Sequence, residues 1–151
     1  MKNVRIESLA GHVYAVQASN GRHMLVADEP VSDGGEDTGP SPYELLLAGL
    51  GACMAITLRM YANHKQWPVE SVSIELSHDR ILATDCETCT PEERAAAGPG
   101  GRIDVIHTDI KVVGHLDEEQ VKRLHEIAGR CPVHRSLEAP PKFVSTITAS
   151  M

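Results

Sequence analysis

The chain is short of aromatic side chains: its 151 residues include one Trp, one Phe and three Tyr. No core can be organised around large rings, so Leu, Ile, Val, Ala and Met must build it. It is also short of positive charge. Fourteen Lys and Arg stand against twenty-one Asp and Glu, a formal charge of −7. That balance repels phosphate backbones, and the basic residues form no stripe, which excludes a nucleic-acid partner. There is no low-complexity tract and no internal repeat. The longest apolar run, Leu45 to Ile56, is too short and glycine-rich to span a bilayer. The opening MKNVRIESLAGHVYAV alternates polar and apolar residues and does not read as a signal peptide. The expectation is a soluble, cytoplasmic protein without a membrane partner. G-x-S-x-G, a P-loop and a dinucleotide fingerprint are all missing, and the eight histidines lack the i, i+4 spacing of a helical metal site.

What is there fits one domain, residues 1–151, in the α+β class with antiparallel pairing. VRIESL, HVYAVQA and RHMLVAD alternate as strands, and Asn20-Gly21 signals a two-residue hairpin turn. A Gly/Pro/Asp-rich loop leads to GPSPYELLLAGLGACMAITLRMYANHKQWP. There Ser41 suits an N-cap, Pro42 the first helical position, and Glu44 completes a capping box. The predicted helix runs to about His64. Its apolar residues fall on most sides of the cylinder, so it must be buried nearly all round. A chain of this size cannot wrap such a helix alone, and a second subunit is expected to cover part of it. VESVSIELSH and RIDVIHTDIKVVG read as further strands, with a long connection between them that is expected to be mobile at its Gly/Pro end. Asp117 and Gln120 cap a second helix with an apolar face of Val121, Leu124, Ile127 and Ala128, ended by Gly129. KFVSTITA alternates as a last strand.

The four cysteines of a cytoplasmic chain point away from structural disulfides and toward metal or redox chemistry. Cys53 lies in mid-helix among Ala48, Gly49, Gly51 and Ala52. A free helical cysteine can be a small buried hydrophobe. Yet each helical glycine costs about 1 kcal/mol relative to alanine, and close approach of another backbone or of a substrate to Cys53 would offset that. Cys131 precedes Pro132, which disfavours a helical conformation before it and marks a helix break. If PVHRSL starts a short helix, Cys131 caps it. The helix terminus, Arg130, His134 and Arg135 then all favour a thiolate. By that logic Cys131 is the more acidic thiol. The alternative is a helix stop with an incidental cysteine.

Cys86 and Cys89 form one C-x-x-C without the second pair of a zinc ribbon. His78 and His107 could complete a zinc site if the connection folds back. A redox disulfide is the other reading, disfavoured by the negative Asp85 and Glu87, which zinc would outweigh. A loop with two idle thiols is the third.

GPSPYELLLAGLGAC, with Cys53, and CPVHRSL, with Cys131, together resemble the OsmC/Ohr family of thiol-dependent peroxidases, in its OsmC-like branch. The order of elements matches over nearly the whole chain. The resemblance implies antiparallel sheets around a long central helix in an intertwined homodimer. It implies that Cys53 attacks an organic hydroperoxide and becomes a sulfenic acid. Cys131 then closes a Cys53–Cys131 disulfide, which a dithiol reductant reopens, with no cofactor required. The family steadies its thiolate with an arginine held by a glutamate. Glu44 and Arg22 are the matching candidates; Glu44 stands one place later than in the peroxidase branch, and Arg22 is placed by chain order. Each has an ordinary reading too, a capping residue and a solvated hairpin arginine. Arg59 lies six residues beyond Cys53, on another helix face. A different class remains open on the same fold: a zinc-binding or redox-sensing interaction protein that works through Cys86 and Cys89. So does attack by Cys53 on another electrophile such as a thioester.

Overall fold

The computed structural model describes residues 2–139 and 141–149. Three short strands open the chain: β1 (Arg5–Ser8), β2 (Val16–Ser19) and β3 (Met24–Ala27), in an antiparallel sheet of order β1-β2-β3. A long helix follows, α1 (Pro42–Lys65), then strand β4 (Val69–Leu82), a five-residue helix α2 (Pro91–Ala95) and strand β5 (Arg102–Gly114). Helices α3 (Glu118–Ala128) and α4 (Pro132–Glu138) complete the order. β4 and β5 pair in a second, antiparallel sheet. The chain is therefore α+β, as its patterns predict. It divides into two compact units, Met1–Gly49 with Leu76–His107 and Leu50–Glu75 with Thr108–Met151.

In the first unit the hairpin signal is read correctly but its turn is longer. Ser19 pairs with Met24, which leaves residues 20–23 as the connection. Asn20 organises it: its Oδ1 accepts from the backbone N–H groups of Arg22 and His23 at 3.0 and 2.8 Å. The asparagine acts through its side chain rather than through a two-residue primed turn.

The loop after β3 is built around Asp28, a residue whose importance the sequence does not signal. Asp28 is 3% exposed, and its carboxylate accepts from the backbone N–H groups of Glu29, Glu36 and Thr38 and from the Thr38 hydroxyl. Burial alone would raise the Asp28 pKa, but these hydrogen bonds outweigh it and hold the carboxyl below its ordinary value. The loop backbone closes so tightly that a Cβ on Gly35 would collide with the Glu29 carbonyl. Replacing Asp28 with Ala should lower the melting temperature by leaving three backbone donors without their acceptor. A depressed carboxyl contributes stability above its unfolded pKa and loses it as pH falls through the folded one. Thermal melts of the wild type and Asp28→Ala should therefore converge below about pH 4, given the ordinary Asp value near 3.9.

The connection between β4 and β5 is more structured than its composition predicts. β4 continues through the segment DRIL, a single 3-10 turn covers Ala83–Asp85, and Thr90 and Glu93 form a capping box on α2. Cys86 and Cys89 are joined as a disulfide inside it. Local capping and a short covalent loop supply the order that a Gly/Pro count does not register.

In the second unit α1 buries one stripe: Leu50, Met54, Leu58 and Ala62, successive i, i+4 positions. α3 buries Leu124, Ile127 and Ala128, while Val121 is left 52% exposed. Arg123 of α3 donates from Nε to the Tyr61 hydroxyl of α1 at 3.2 Å, and Trp67 meets the Tyr61 ring edge-on. Both expected capping boxes are present, at Ser41/Glu44 and at Asp117/Gln120. Gly129 ends α3 in right-handed helical conformation, so it serves there without needing glycine's left-handed freedom.

One chain covers only the Leu50–Ala62 stripe of α1 and leaves Leu46, Ile56 and Met60 exposed, which is the part of the helix expected to need a second subunit. By length and composition alone α1 is also long and apolar enough to cross a membrane, a wider span than the apolar run counted from the sequence. One expectation fails: the final strand is missing. Residues 141–149 have no regular structure, and Phe143, Val144 and Ile147 are exposed. A strand needs an edge to pair with, and alternation alone does not supply one.

Candidate active site

Cys53 and Cys131 meet in the second unit. Helix α1 carries Cys53 one residue before the buried Met54, and its side chain is half-buried. Cys131 is completely buried and occupies the N-cap of α4, with Pro132 at the first helical position. Its Sγ accepts from the His134 backbone N–H at 3.3 Å. This is the helix break that Pro132 predicts, and the cysteine in it is the cap rather than an incidental residue.

Cys53 lies close enough to Cys131 to bear on its protonation, and the surroundings of Cys131 reverse one expectation. Helix-terminus reasoning makes Cys131 the more acidic thiol. The structure instead pushes Cys131 above the ordinary thiol value of 9.0, chiefly through burial. The Cys53 sulfur raises it further, because a proton on Cys131 can be shared with it. The N–H of His134 pulls the other way and does not prevail. As the cap, the sulfur accepts a hydrogen bond from the His134 N–H, whereas burial removes its hydration shell. Arg130 and Arg135 are exposed, so neither offsets that loss. Burial therefore favours the protonated form of Cys131.

Arg59 donates to the backbone carbonyls of Val69 and Glu70 at 3.1 and 2.8 Å, which fixes it to the start of β4. His134 presents ring Nδ1 buried and without a hydrogen bond, 3.6 Å from Glu138 Oε2. The sequence singles out His134 only for its place beside Cys131; its main tie to that residue runs through its backbone N–H.

Glu44 and Arg22 belong to the first unit. The Glu44 carboxylate accepts from the Ser41 backbone N–H at 2.7 Å and the Ser41 hydroxyl at 2.9 Å. Those bonds lower the Glu44 pKa, the backbone N–H most of all. The capping role of Glu44 is therefore occupied. Arg22 is exposed in the hairpin connection, its backbone N–H bonded to Asn20.

Cys86 and Cys89 as arranged do not fit zinc. Their sulfurs are bonded to each other, so neither is a thiolate ligand, and metal thiolate bonds require that charge. Among the described residues no group of three or more His, Cys, Asp or Glu side chains is placed to hold a metal ion. His78 hydrogen-bonds Asp104 at 2.9 Å and stacks on Tyr43.

The chain thus combines an α+β fold with one cysteine on its long helix and a second at the cap of a late short helix. The profile of the OsmC-like protein family matches residues 34–146, and the chain belongs to that family. No curated protein sequence matches it. Among solved structures it is similar to an OsmC-like protein of Mycoplasma pneumoniae, with 18% identity, TM-score 0.69, and 93% of this chain and 89% of that one covered. It is also similar to an organic hydroperoxide resistance protein of Legionella pneumophila, at 21% identity and TM-score 0.63, covering 92% and 90% of the two chains. An organic hydroperoxide resistance protein of Elizabethkingia anophelis gives 17% identity and TM-score 0.65, covering 93% and 91%. These likenesses carry the fold.

Proposed function

We propose that the protein is a thiol-dependent peroxidase that reduces organic hydroperoxides in the cytoplasm. The observation that carries the reading is the unequal burial of two neighbouring thiols: half-buried Cys53 against wholly buried Cys131, whose pKa is raised. The Cys53 thiolate attacks the terminal oxygen of the hydroperoxide and the O–O bond breaks. The alkoxide leaves and takes a proton as alcohol, and Cys53 becomes a sulfenic acid. Cys131 then loses its proton and attacks the Cys53 sulfur as a thiolate, hydroxide leaves and takes up that proton as water, and a disulfide closes. An external dithiol returns two electrons and restores both thiols. No step needs a metal or an organic cofactor. Family membership and the names of the Legionella and Elizabethkingia proteins support the same chemistry.

The test is to reduce the protein fully, add one equivalent of an organic hydroperoxide, and map cysteine states by mass spectrometry. A Cys53–Cys131 disulfide formed within the dead time of manual quenching is expected. Cys53 left as thiol while peroxide persists would reject the reading.

The working form we propose is a homodimer. A Cβ on Gly49 would meet nothing within 4 Å, so the close approach that explains a helical glycine is not made within this chain. Exposed Leu46, Ile56 and Met60 on α1, and Phe143, Val144 and Ile147 near the C-terminus, are surface that a second copy would cover. Sedimentation at micromolar concentration should give twice the chain mass; a monomer would overturn the assembly and leave the thiol chemistry to be judged separately.

A further inference from the structure

The Cys86–Cys89 disulfide is not used by this cycle, and its surroundings are those of a reacting bond rather than a staple. It spans three residues, a loop so small that little unfolded-chain entropy is removed by closing it. Its two sulfurs differ sharply in access. Cys86 is 3% exposed, whereas Cys89 is half-buried and forms part of the wall of a pocket of about 430 Å³. Thr88, Ala96, Ile103 and Ile106 line that pocket beside it, with the carboxylate residues Glu93 and Asp104.

The inaccessible sulfur has the better provision for leaving. The Thr88 hydroxyl lies 3.9 Å from Cys86 Sγ, and against a disulfide sulfur, which has no proton, the hydroxyl is the donor. Arg94 donates from Nη2 to the Cys86 carbonyl at 2.6 Å, which fixes a guanidinium beside the same residue. Both favour negative charge on Cys86 as the S–S bond breaks. The charge around the site is otherwise acidic. Residues 85–94 carry Asp85, Glu87, Glu92 and Glu93 against Arg94 alone, and Asp104 adds a carboxylate at the pocket.

We propose that Cys86–Cys89 is a second active site, a thiol–disulfide exchange centre that accepts uncharged or cationic thiols and discriminates against anionic ones. The thiolate of an external dithiol enters the pocket and attacks Cys89 Sγ. The Cys86–Cys89 bond breaks, its electron pair leaves on Cys86, and that sulfur takes up a proton. The second thiol of the reagent then attacks the reagent's own sulfur in the mixed disulfide. Cys89 is released as a thiolate and the reagent closes into its cyclic disulfide. Two electrons have passed from the dithiol to the pair, and in reverse the reduced pair reduces an external disulfide with Cys89 as nucleophile. Apolar pocket walls suit an uncharged carbon chain on the thiol, and the carboxylates repel anions.

The test uses the full chain with Cys53→Ser and Cys131→Ser, so that its failure and the failure of the peroxidase reading are distinct. Peptide mapping of the wild type tracks the same pair in case the double variant folds poorly. Dithiothreitol should reduce Cys86–Cys89 without denaturant. In Cys86→Ser, cystamine should form a mixed disulfide on Cys89 at least tenfold faster than on Cys86 in Cys89→Ser. Cystamine should also outrun oxidised glutathione at least tenfold at low ionic strength, with the ratio shrinking as salt screens the carboxylates. Reduction only in denaturant would make the bond a structural one. Equal rates at the two cysteines, or equal rates for the cationic and anionic disulfides, would equally overturn the proposal.

Discussion

A Cys53→Ser chain is expected to consume organic hydroperoxide no faster than buffer. The substitution replaces sulfur with oxygen at nearly constant volume, so α1 keeps its Leu50–Ala62 stripe and its cap. What it removes is the ionisable nucleophile. A thiol can supply a nucleophilic thiolate, whereas an aliphatic hydroxyl supplies essentially no anion at neutral pH. Cys131 cannot take over the role, because it is wholly buried and its pKa is raised above the ordinary thiol value. Peroxide loss by colorimetric assay, with circular dichroism to confirm the fold, makes the comparison. Turnover retained in Cys53→Ser would remove Cys53 as the nucleophile whatever the family does.

Cys131→Ser should produce a different failure. The first equivalent of hydroperoxide should react, since Cys53 is untouched, and turnover should then stop. Without the buried neighbour the sulfenic acid on Cys53 persists, and excess peroxide drives it to the sulfinic state, a mass shift of two oxygens. An undiminished steady-state rate would exclude Cys131 as the resolving thiol. In the wild type, the same pairing fixes the sign of a pH effect. Disulfide closure requires the Cys131 thiolate, and burial holds the proton on that sulfur beyond the ordinary 9.0. The closing step should therefore speed up with rising pH through and past that value, with no plateau near neutrality. Rapid-quench mapping of the disulfide between pH 6 and about 10.5 reads this directly.

Much of this architecture could be read from local chemistry. Ser41, Pro42 and Glu44 announce the start of α1, Asp117 and Gln120 that of α3, and Cys131-Pro132 that of α4, because caps are satisfied within one turn. The two motif cysteines were legible from those elements and from the family likeness. What local patterns cannot carry is the balance of burial against dipole. The cap and the cations beside Cys131 are visible in the sequence, but its exclusion from water depends on residues brought together by folding. Asp28 was missed for a related reason: its partners, Glu36 and Thr38, are eight and ten residues away in a loop with no periodicity. The β4–β5 connection, expected to be mobile at its Gly/Pro end, carries more local structure than its composition suggests, because Gly and Pro counts ignore the Thr90 capping box and the Cys86–Cys89 bond. The strand expected at the C-terminus failed because its alternation states a preference and names no edge.

The cap of α4 has one more implication. The sulfur that receives the His134 N–H is the sulfur that must turn toward Cys53 to close a disulfide. A half-cystine is a poorer acceptor than a thiol or thiolate, and its new covalent bond dictates where its lone pairs face. In the proposed cycle each oxidation would therefore weaken this cap on the first turn of α4, and each reduction would restore it. That turn leads to the protein surface, where exposed Arg135, Ser136 and Glu138 follow on the same short helix and would carry the proposed change outward. A reducing partner could then tell a spent molecule from a ready one by touch, before any sulfur is exchanged.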